Sequence, residues 1–234
     1  MKRALVTGAT GDIGSALTQY LIEHKVQVIG TYLSHPVKEP LGANVSYVQL
    51  DITNQQSVAN CVEYVQTNYG GVDFLVNNAG IKQDGALDTL GWNDFEKVIS
   101  TNLIGTIALT RAFLHLIKES RGRIVTVASL SGEIGNNQQS NYSASKAGLI
   151  GFTKALARDM AKYGVSVNAV SPGLIESRMV SSIPLPLQER MLSMIPQKRF
   201  GSPRSVAELV YFLLTNEENY ITGQSIKIDG GLSM

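Results

Sequence analysis

The chain has 234 residues, 44% of them hydrophobic, and its 20 basic and 19 acidic side chains leave a net charge of +1. That length and apolar content suit one large α/β domain over residues 1–234, and the balanced charge excludes a global attraction to nucleic acid or an anionic membrane. With Cys61 the sole cysteine, no internal disulfide can form; with no apolar run of signal-peptide or membrane length, the expected location is cytoplasmic.

The first β-branched run, residues 4–7, reads as a strand and leads straight into Thr7-Gly8-Ala9-Thr10-Gly11-Asp12-Ile13-Gly14 and a helix over 13–23. Glycines in a strand-to-helix turn let the backbone approach a pyrophosphate seated on the positive end of the helix. Gly8, Thr10, Gly11, Asp12, Ile13 and Gly14 are therefore candidate dinucleotide-binding residues. Asp12 would repel phosphate if it pointed inward, so it is expected to face solvent or cap the helix, where negative charge is favourable.

A second strand, 26–31, ends at Thr31-Tyr32-Leu33-Ser34, without the acid that commonly bonds the ribose 2′-hydroxyl of NAD. NADP is the expected cofactor, NAD staying possible, and His35 and Lys38 are the nearest cations for a 2′-phosphate. After the third strand, 45–50, Asp51 and Ile52 are placed to meet the adenine, Asp51 alternatively capping the helix over 54–68. On that helix Cys61 shares the apolar side with Val58, Val62 and Val65 and reads as core.

A fourth strand, 74–76, precedes Asn77-Asn78-Ala79-Gly80, a helical pattern over 93–119 carries Asn102, and a fifth strand, 124–127, ends just before Ser129. In the helical stretch 142–163, Tyr142 and Lys146 stand four apart and share a face. An ammonium beside a phenol favours the phenolate, so Lys146 is expected to lower the Tyr142 pKa toward neutrality and make it a proton donor. With 9 Tyr and 11 Lys, chance supplies about 0.4 such pairs in a chain of this length, so the pair alone leaves an ordinary amphipathic helix open.

A sixth strand, 165–170, runs toward Pro172-Gly173. Residues 174–200 then break the alternation, with Pro184, Pro186 and Pro196 in a Met- and Leu-rich stretch that either covers a pocket or packs on a subunit neighbour through Met179, Leu185, Leu187, Met191 and Met194. A helix over 203–214 and a strand over 225–228 complete the chain. Strand–helix alternation of this kind predicts an α/β fold, a doubly wound parallel sheet of about seven strands with helices on both faces. His24, His35 and His115 are scattered without ligand-like spacing, and no metal site is expected.

With the glycine loop, Asn77-Asn78-Ala79-Gly80, Asn102, Ser129, Tyr142, Lys146 and Pro172-Gly173 in that order, the whole chain resembles the classical short-chain dehydrogenases/reductases. Residues 141–151, 167–173 and 220–231 look most like the 3-oxoacyl-[acyl-carrier-protein] reductases among them. The resemblance implies a Rossmann-type fold in which Tyr142 gives a proton to the substrate carbonyl oxygen, Ser129 polarises that oxygen, and Lys146 tunes Tyr142 and bonds the nicotinamide ribose. It further implies that Asn102 anchors a water linking Lys146 to solvent, that Asn78, Ala79 and Gly80 line the cofactor, and that Ile175 meets its carboxamide beside Pro172 and Gly173. Such chemistry needs a donor of suitable pKa for the alkoxide that hydride transfer creates, and no covalent intermediate.

The implied activity is NADPH-dependent reduction of a 3-oxoacyl thioester, linked to acyl carrier protein, in fatty-acid or polyketide-type synthesis, by a homotetramer built on the helices near 93–119 and 142–163. A reductase or dehydrogenase of a small free ketone or alcohol, and a dinucleotide-binding regulator without turnover, are the alternatives. Two departures stand out. Family members usually carry glycine at the position of Asp12 and often a basic residue at that of Gly11, and the arginines that dock the carrier align with Ser120 and Tyr163. Lys118, Arg121, Arg123 and Lys162 lie beside those positions, and Lys154, Arg158 and Lys162 share a helix face that either steers an acidic carrier or is simply solvated.

Overall fold

A computed structural model describes residues 1–35, 42, 44–177, 180 and 183–234. Lys38 and Met179 lie outside the described residues. Seven strands alternate with helices: β1 (Arg3–Val6), α1 (Asp12–Glu23), β2 (Gln27–Tyr32), β3 (Val45–Gln49), α2 (Gln55–Tyr69), β4 (Phe74–Asn77), α3 (Trp92–Ile99) and α4 (Thr106–Glu119). There follow β5 (Arg123–Val127), α5 (Leu130–Ile134), α6 (Ser140–Ala161), β6 (Ser166–Pro172), α7 (Leu185–Met194), α8 (Pro203–Thr215) and β7 (Ser225–Ile228).

The strands form one sheet in the order β3-β2-β1-β4-β5-β6-β7, every pair parallel. This is the doubly wound sheet that the alternation predicts. Successive side chains of a strand point to opposite faces, and both faces are covered, so the strands can be apolar throughout. Leu5 pairs with Ile29 and Leu75, Leu75 with Ile124, and Ile124 with Val167, a row that packs on Val65, Phe113 and Leu156 from α2, α4 and α6. Their neighbours Val6, Val28, Val76 and Val125 face the other way, onto Leu17 of α1 and Val210 of α8.

The chain order reverses beside β1, whose neighbours are β2 and β4, so the loops leaving β1 and β4 diverge to opposite faces and open a crevice at the carboxyl ends of the strands. Two features differ from the expected elements. The helix over 93–119 is divided by a π-helical turn, Ser100–Gly105, in which a Cβ on Gly105 would stand 2.9 Å from Ile52 Cγ1. Residues 174–200 include the short helix α7, which buries none of its side chains within this chain. Among the described residues, no helix is long and apolar enough to cross a membrane.

Candidate active site

The loops after β1 and β4 are joined by side-chain to backbone bonds. Thr7 Oγ1 accepts from Asn78 N and Ala79 N, both at 2.9 Å, while Asn78 Nδ2 donates to the Thr7 and Gly8 carbonyls at 2.9 and 3.1 Å. Glycine is required on both turns of the loop. Gly8 has a φ of +62°, and a Cβ on Gly14 would stand 2.1 Å from the Gly8 carbonyl oxygen. No side chain caps α1 at Gly11, so the positive end of that helix opens where an anion would sit.

A cleft of about 1020 Å³ runs along these strand ends. It is lined by Gly8, Thr10, Gly11, Asp12, Ile13 and Gly14 from the first turn and by Thr31, Asp51 and Ile52 after β2 and β3. Asn78, Ala79 and Gly80 line it after β4, Pro172, Gly173 and Ile175 after β6, and Ser129, Tyr142 and Lys146 between them. The glycine turn, the uncapped helix end and the length of the cleft fit a dinucleotide, whose pyrophosphate the first turn would hold. Asp12 is the first residue of α1, where its charge suits the dipole. Asp51 does not cap α2; Asn54 does, accepting from Ser57 N at 2.9 Å, while Asp51 Oδ1 accepts from Thr53 N and Oγ1 at 2.9 and 2.6 Å.

Asn102 is the one candidate that does not line the cleft. It is 1% exposed in the π-helical turn, and its carboxamide clasps Ile81: Oδ1 accepts from Ile81 N at 2.8 Å, and Nδ2 donates to the Ile81 carbonyl at 2.9 Å and to Ser145 Oγ at 3.2 Å. Both N–H groups are thus committed to the backbone loop and to α6. Gly80 leaves the space between Asn102 and Lys146; a Cβ there would stand 3.2 Å from Asn102 Oδ1 and 3.6 Å from Lys146 Nζ.

Ser129 ends the extended segment after β5 and caps α5, its Oγ accepting from Ser131 N at 3.1 Å. Helices α5 and α6 meet closely because Gly132 has no side chain; a Cβ there would come within 2.7 Å of the Lys146 backbone. This contact brings the Ser129 hydroxyl into hydrogen-bonding reach of the Tyr142 phenol. Lys146 is 4% exposed, and its Nζ donates to the Val127 carbonyl at 2.8 Å and lies 5.6 Å from the Tyr142 ring centre.

The electrostatics correct one expectation. Burial pushes the Tyr142 phenol above its ordinary value, the hydrogen bond from Ser129 pulls it down, and the Asp84 carboxylate pushes it up again. The Lys146 ammonium is held on the end of β5 and is itself penalised by burial, its pKa falling to about 8. At neutral pH the site therefore holds a protonated phenol beside a cationic lysine. Residues in the cleft that sequence reasoning missed include Lys82, Lys97, Ser100, Thr101, Glu176 and Ser177. The spacing of Lys97 and Thr101, four apart ahead of Asn102, was a usable signal; the others depend on loop paths.

Among the described residues, no cluster of three or more His, Cys, Asp or Glu could hold a metal ion. A family model described as enoyl-(acyl carrier protein) reductase matches residues 8–233. The 3-oxoacyl-[acyl-carrier-protein] reductase FabG of Vibrio cholerae is 40% identical over 238 residues, covering 100% of this chain and 98% of that protein. Its counterpart from Escherichia coli K12 is 39% identical over 238 residues, with the same coverage. That of Thermotoga maritima is 41% identical over 239 residues, covering 99% of this chain and 97% of that protein.

Proposed function

The chain belongs to the short-chain dehydrogenase/reductase family, and from that premise we propose that it is an oxidoreductase that reduces 3-oxoacyl thioesters on acyl carrier protein to the 3-hydroxyacyl products, in fatty-acid or related synthesis. The observation that carries this reading is the convergence of the Ser129 and Tyr142 hydroxyls, backed by a buried ammonium, on one end of a dinucleotide-sized cleft. The likeness to 3-oxoacyl reductases over essentially the full length of both chains supplies the substrate class.

A bound nicotinamide supplies the hydride. Tyr142 keeps its proton at neutral pH and donates it to the carbonyl oxygen as negative charge develops there. Ser129 gives a second hydrogen bond to that oxygen and prepares it for attack. Lys146, a cation below about pH 8 held beside the Tyr142 ring, stabilises the phenolate left behind. Asn78, Ala79 and Gly80, with Pro172, Gly173 and Ile175, bind and orient the cofactor, and Asn102 holds their loop in register. Leu174, Glu176, Ser177 and Val180 line the cleft from the β6 side.

NADPH is preferred to NADH. The β2 end presents Thr31 to His35 to the cleft with no acid among them, and His35 Nδ1 lies 2.9 Å from Ser34 Oγ, a neutral and basic pair suited to a 2′-phosphate. The carrier meets a basic face rebuilt around Tyr163, whose ring lies 4.7 Å from Lys118 Nζ and 5.2 Å from Lys162 Nζ. The active species is a homotetramer joined through α4 and α6, beside which Ile104 stands exposed in the π-helical turn. A matched panel tests the whole reading: NADPH and NADH against a carrier-bound 3-oxoacyl substrate, the coenzyme-A thioester, the corresponding enoyl thioester and simple ketones. The expected result is NADPH-dependent 3-oxoacyl reduction in which salt slows the carrier-bound substrate alone. Exclusive use of an enoyl thioester or a free ketone would contradict it.

A further inference from the structure

Three successive residues of the loop after β4 are held from the start of α6. Asn141 Nδ2 donates to the Gln83 carbonyl at 3.0 Å, Gly85 N donates to the Gln138 carbonyl at 2.8 Å, and Gln139 Nε2 donates to both Asp84 carboxylate oxygens at 3.1 and 3.2 Å. The first two use backbone carbonyls that many sequences could supply. The third is a side-chain pair, and its donor is 6% exposed.

The Gln139 carboxamide is used at both ends. Its Oε1 accepts from Ser131 Oγ at 3.0 Å and from Asn136 Nδ2 at 3.1 Å. A carboxylate can only accept, so Nε2 must face Asp84 and Oε1 must face Ser131. Ser131 N in turn donates to Ser129 Oγ at 3.1 Å, and Ser143 N, one residue past Tyr142, donates to the Gln139 carbonyl at 2.7 Å. One buried residue therefore ties the Ser129 turn and the Asp84 loop together through its side chain, and meets the start of the Tyr142 helix through its backbone carbonyl. Removing Asp84 would leave the buried Gln139 Nε2 unpaired, the costly half of hydrogen bonding, whereas the Asp84 carboxylate is 40% exposed.

The charges around Tyr142 are few. Lys146 lies over its ring on α6, and the Asp84 carboxylate, 40% exposed on the loop with Oδ2 2.8 Å from Lys82 Nζ, pushes its pKa up. On α5, Glu133 accepts from Ser171 Oγ and Ser225 Oγ, and Glu176 lines the cleft beyond β6. Of the carboxylates, it is Asp84 whose charge reaches the phenol.

We propose that Gln139 and Asp84 are positioning residues for the reaction proposed above: Gln139 fixes the Ser129–Ser131 turn and the β4 loop against α6, and thereby holds the Asp84 carboxylate beside the start of the Tyr142 helix. The inference rests on the reading of Tyr142 as proton donor. It makes the resting site a committed donor, suited to reduction, and predicts that oxidation of a 3-hydroxyacyl thioester, which needs the phenolate at rest, demands higher pH than it would without Asp84.

The test is the pH dependence of kcat/KM in the oxidative direction, with NADPH affinity measured by direct titration on every variant. Asp84→Asn keeps an oxygen for Gln139 Nε2 and removes the charge; its rising limb moves to lower pH by about 0.5 to 1 unit, with affinity for NADPH unchanged. Gln139→Ala keeps the charge and frees its position, lowering kcat about tenfold while KM for the cofactor holds, a loss within the usual range for a misplaced proton-transfer group. Gln139→Glu sets two carboxylates together and loses more, and adding Asp84→Asn to it restores activity. An unshifted limb in Asp84→Asn, or unchanged turnover in Gln139→Ala, overturns the proposal. Should Asp84→Asn alone fail to bind NADPH, the rescue in the double variant decides, and absence of rescue counts against. A Tyr142→Phe control that keeps full turnover removes the premise itself, a failure distinct from an unshifted limb.

Discussion

Lys146 carries a cost that its sequence position does not announce. A fall in pKa from 10.5 to about 8 on a residue 4% exposed corresponds to about 3 kcal/mol of destabilisation when the ammonium is charged in both states. Because the folded pKa is depressed, the unfolded chain binds more protons between about pH 8 and 10.5, and stability gains with pH across that window. Lys146→Met keeps the stem and removes the charge. It is expected to be more stable than the parent at pH 7, with the difference shrinking toward pH 10.5, as denaturant melts of both proteins would show. A difference that stays constant with pH would mean that the ammonium is not penalised. Tyr142, Lys146 and Ser129 were legible as residue types in order, whereas the direction of the Tyr142 shift was not. That direction depends on burial and on Asp84, far away in the chain.

Helix α5 is only five residues long, yet it sets the distance between Ser129 and Tyr142. Its packing rests on Gly132, where a methyl group would come within 2.7 Å of the Lys146 backbone and 2.8 Å of Ala147 N. Gly132→Ala should therefore push α5 from α6, cost about 1–3 kcal/mol, and lower kcat far more than it weakens NADPH binding, since the glycine turn is untouched. A melt and a cofactor titration check both halves, and unchanged kcat would mean that the two helices do not gauge the site. The seven strands, α1, α2 and α8 were readable because hydrophobic period, caps and glycine punctuation agree: Asn54 caps α2 and Gly70 closes it in the left-handed region. The π-helical turn was not readable, since residues 93–119 keep a helical pattern and only the approach of Gly105 to Ile52 makes room for the inserted geometry. Nor was α7, whose apolar side chains Leu185 and Met194 stand 71% and 55% exposed.

Across the whole molecule, the sheet order places the ends of β1, β4, β5 and β6 along one crevice, so segments distant in sequence each contribute to a single cleft. Every candidate site residue except Asn102 lines it, because the strand order, fixed by the parallel crossovers, decides which loops meet. What the sequence leaves open is what approaches that cleft from outside, which depends on exposed side chains around Tyr163 and on α7. The central claim is that this cleft binds NADPH and that Tyr142 protonates the carbonyl it reduces. It is tested most directly by NADPH oxidation with a 3-oxoacyl thioester in Tyr142→Phe beside the parent, with NADPH affinity titrated on both. The account predicts affinity within about threefold and turnover lower by a factor of about 10²–10⁴; turnover equal to that of the parent, with the cofactor bound as tightly, would contradict it.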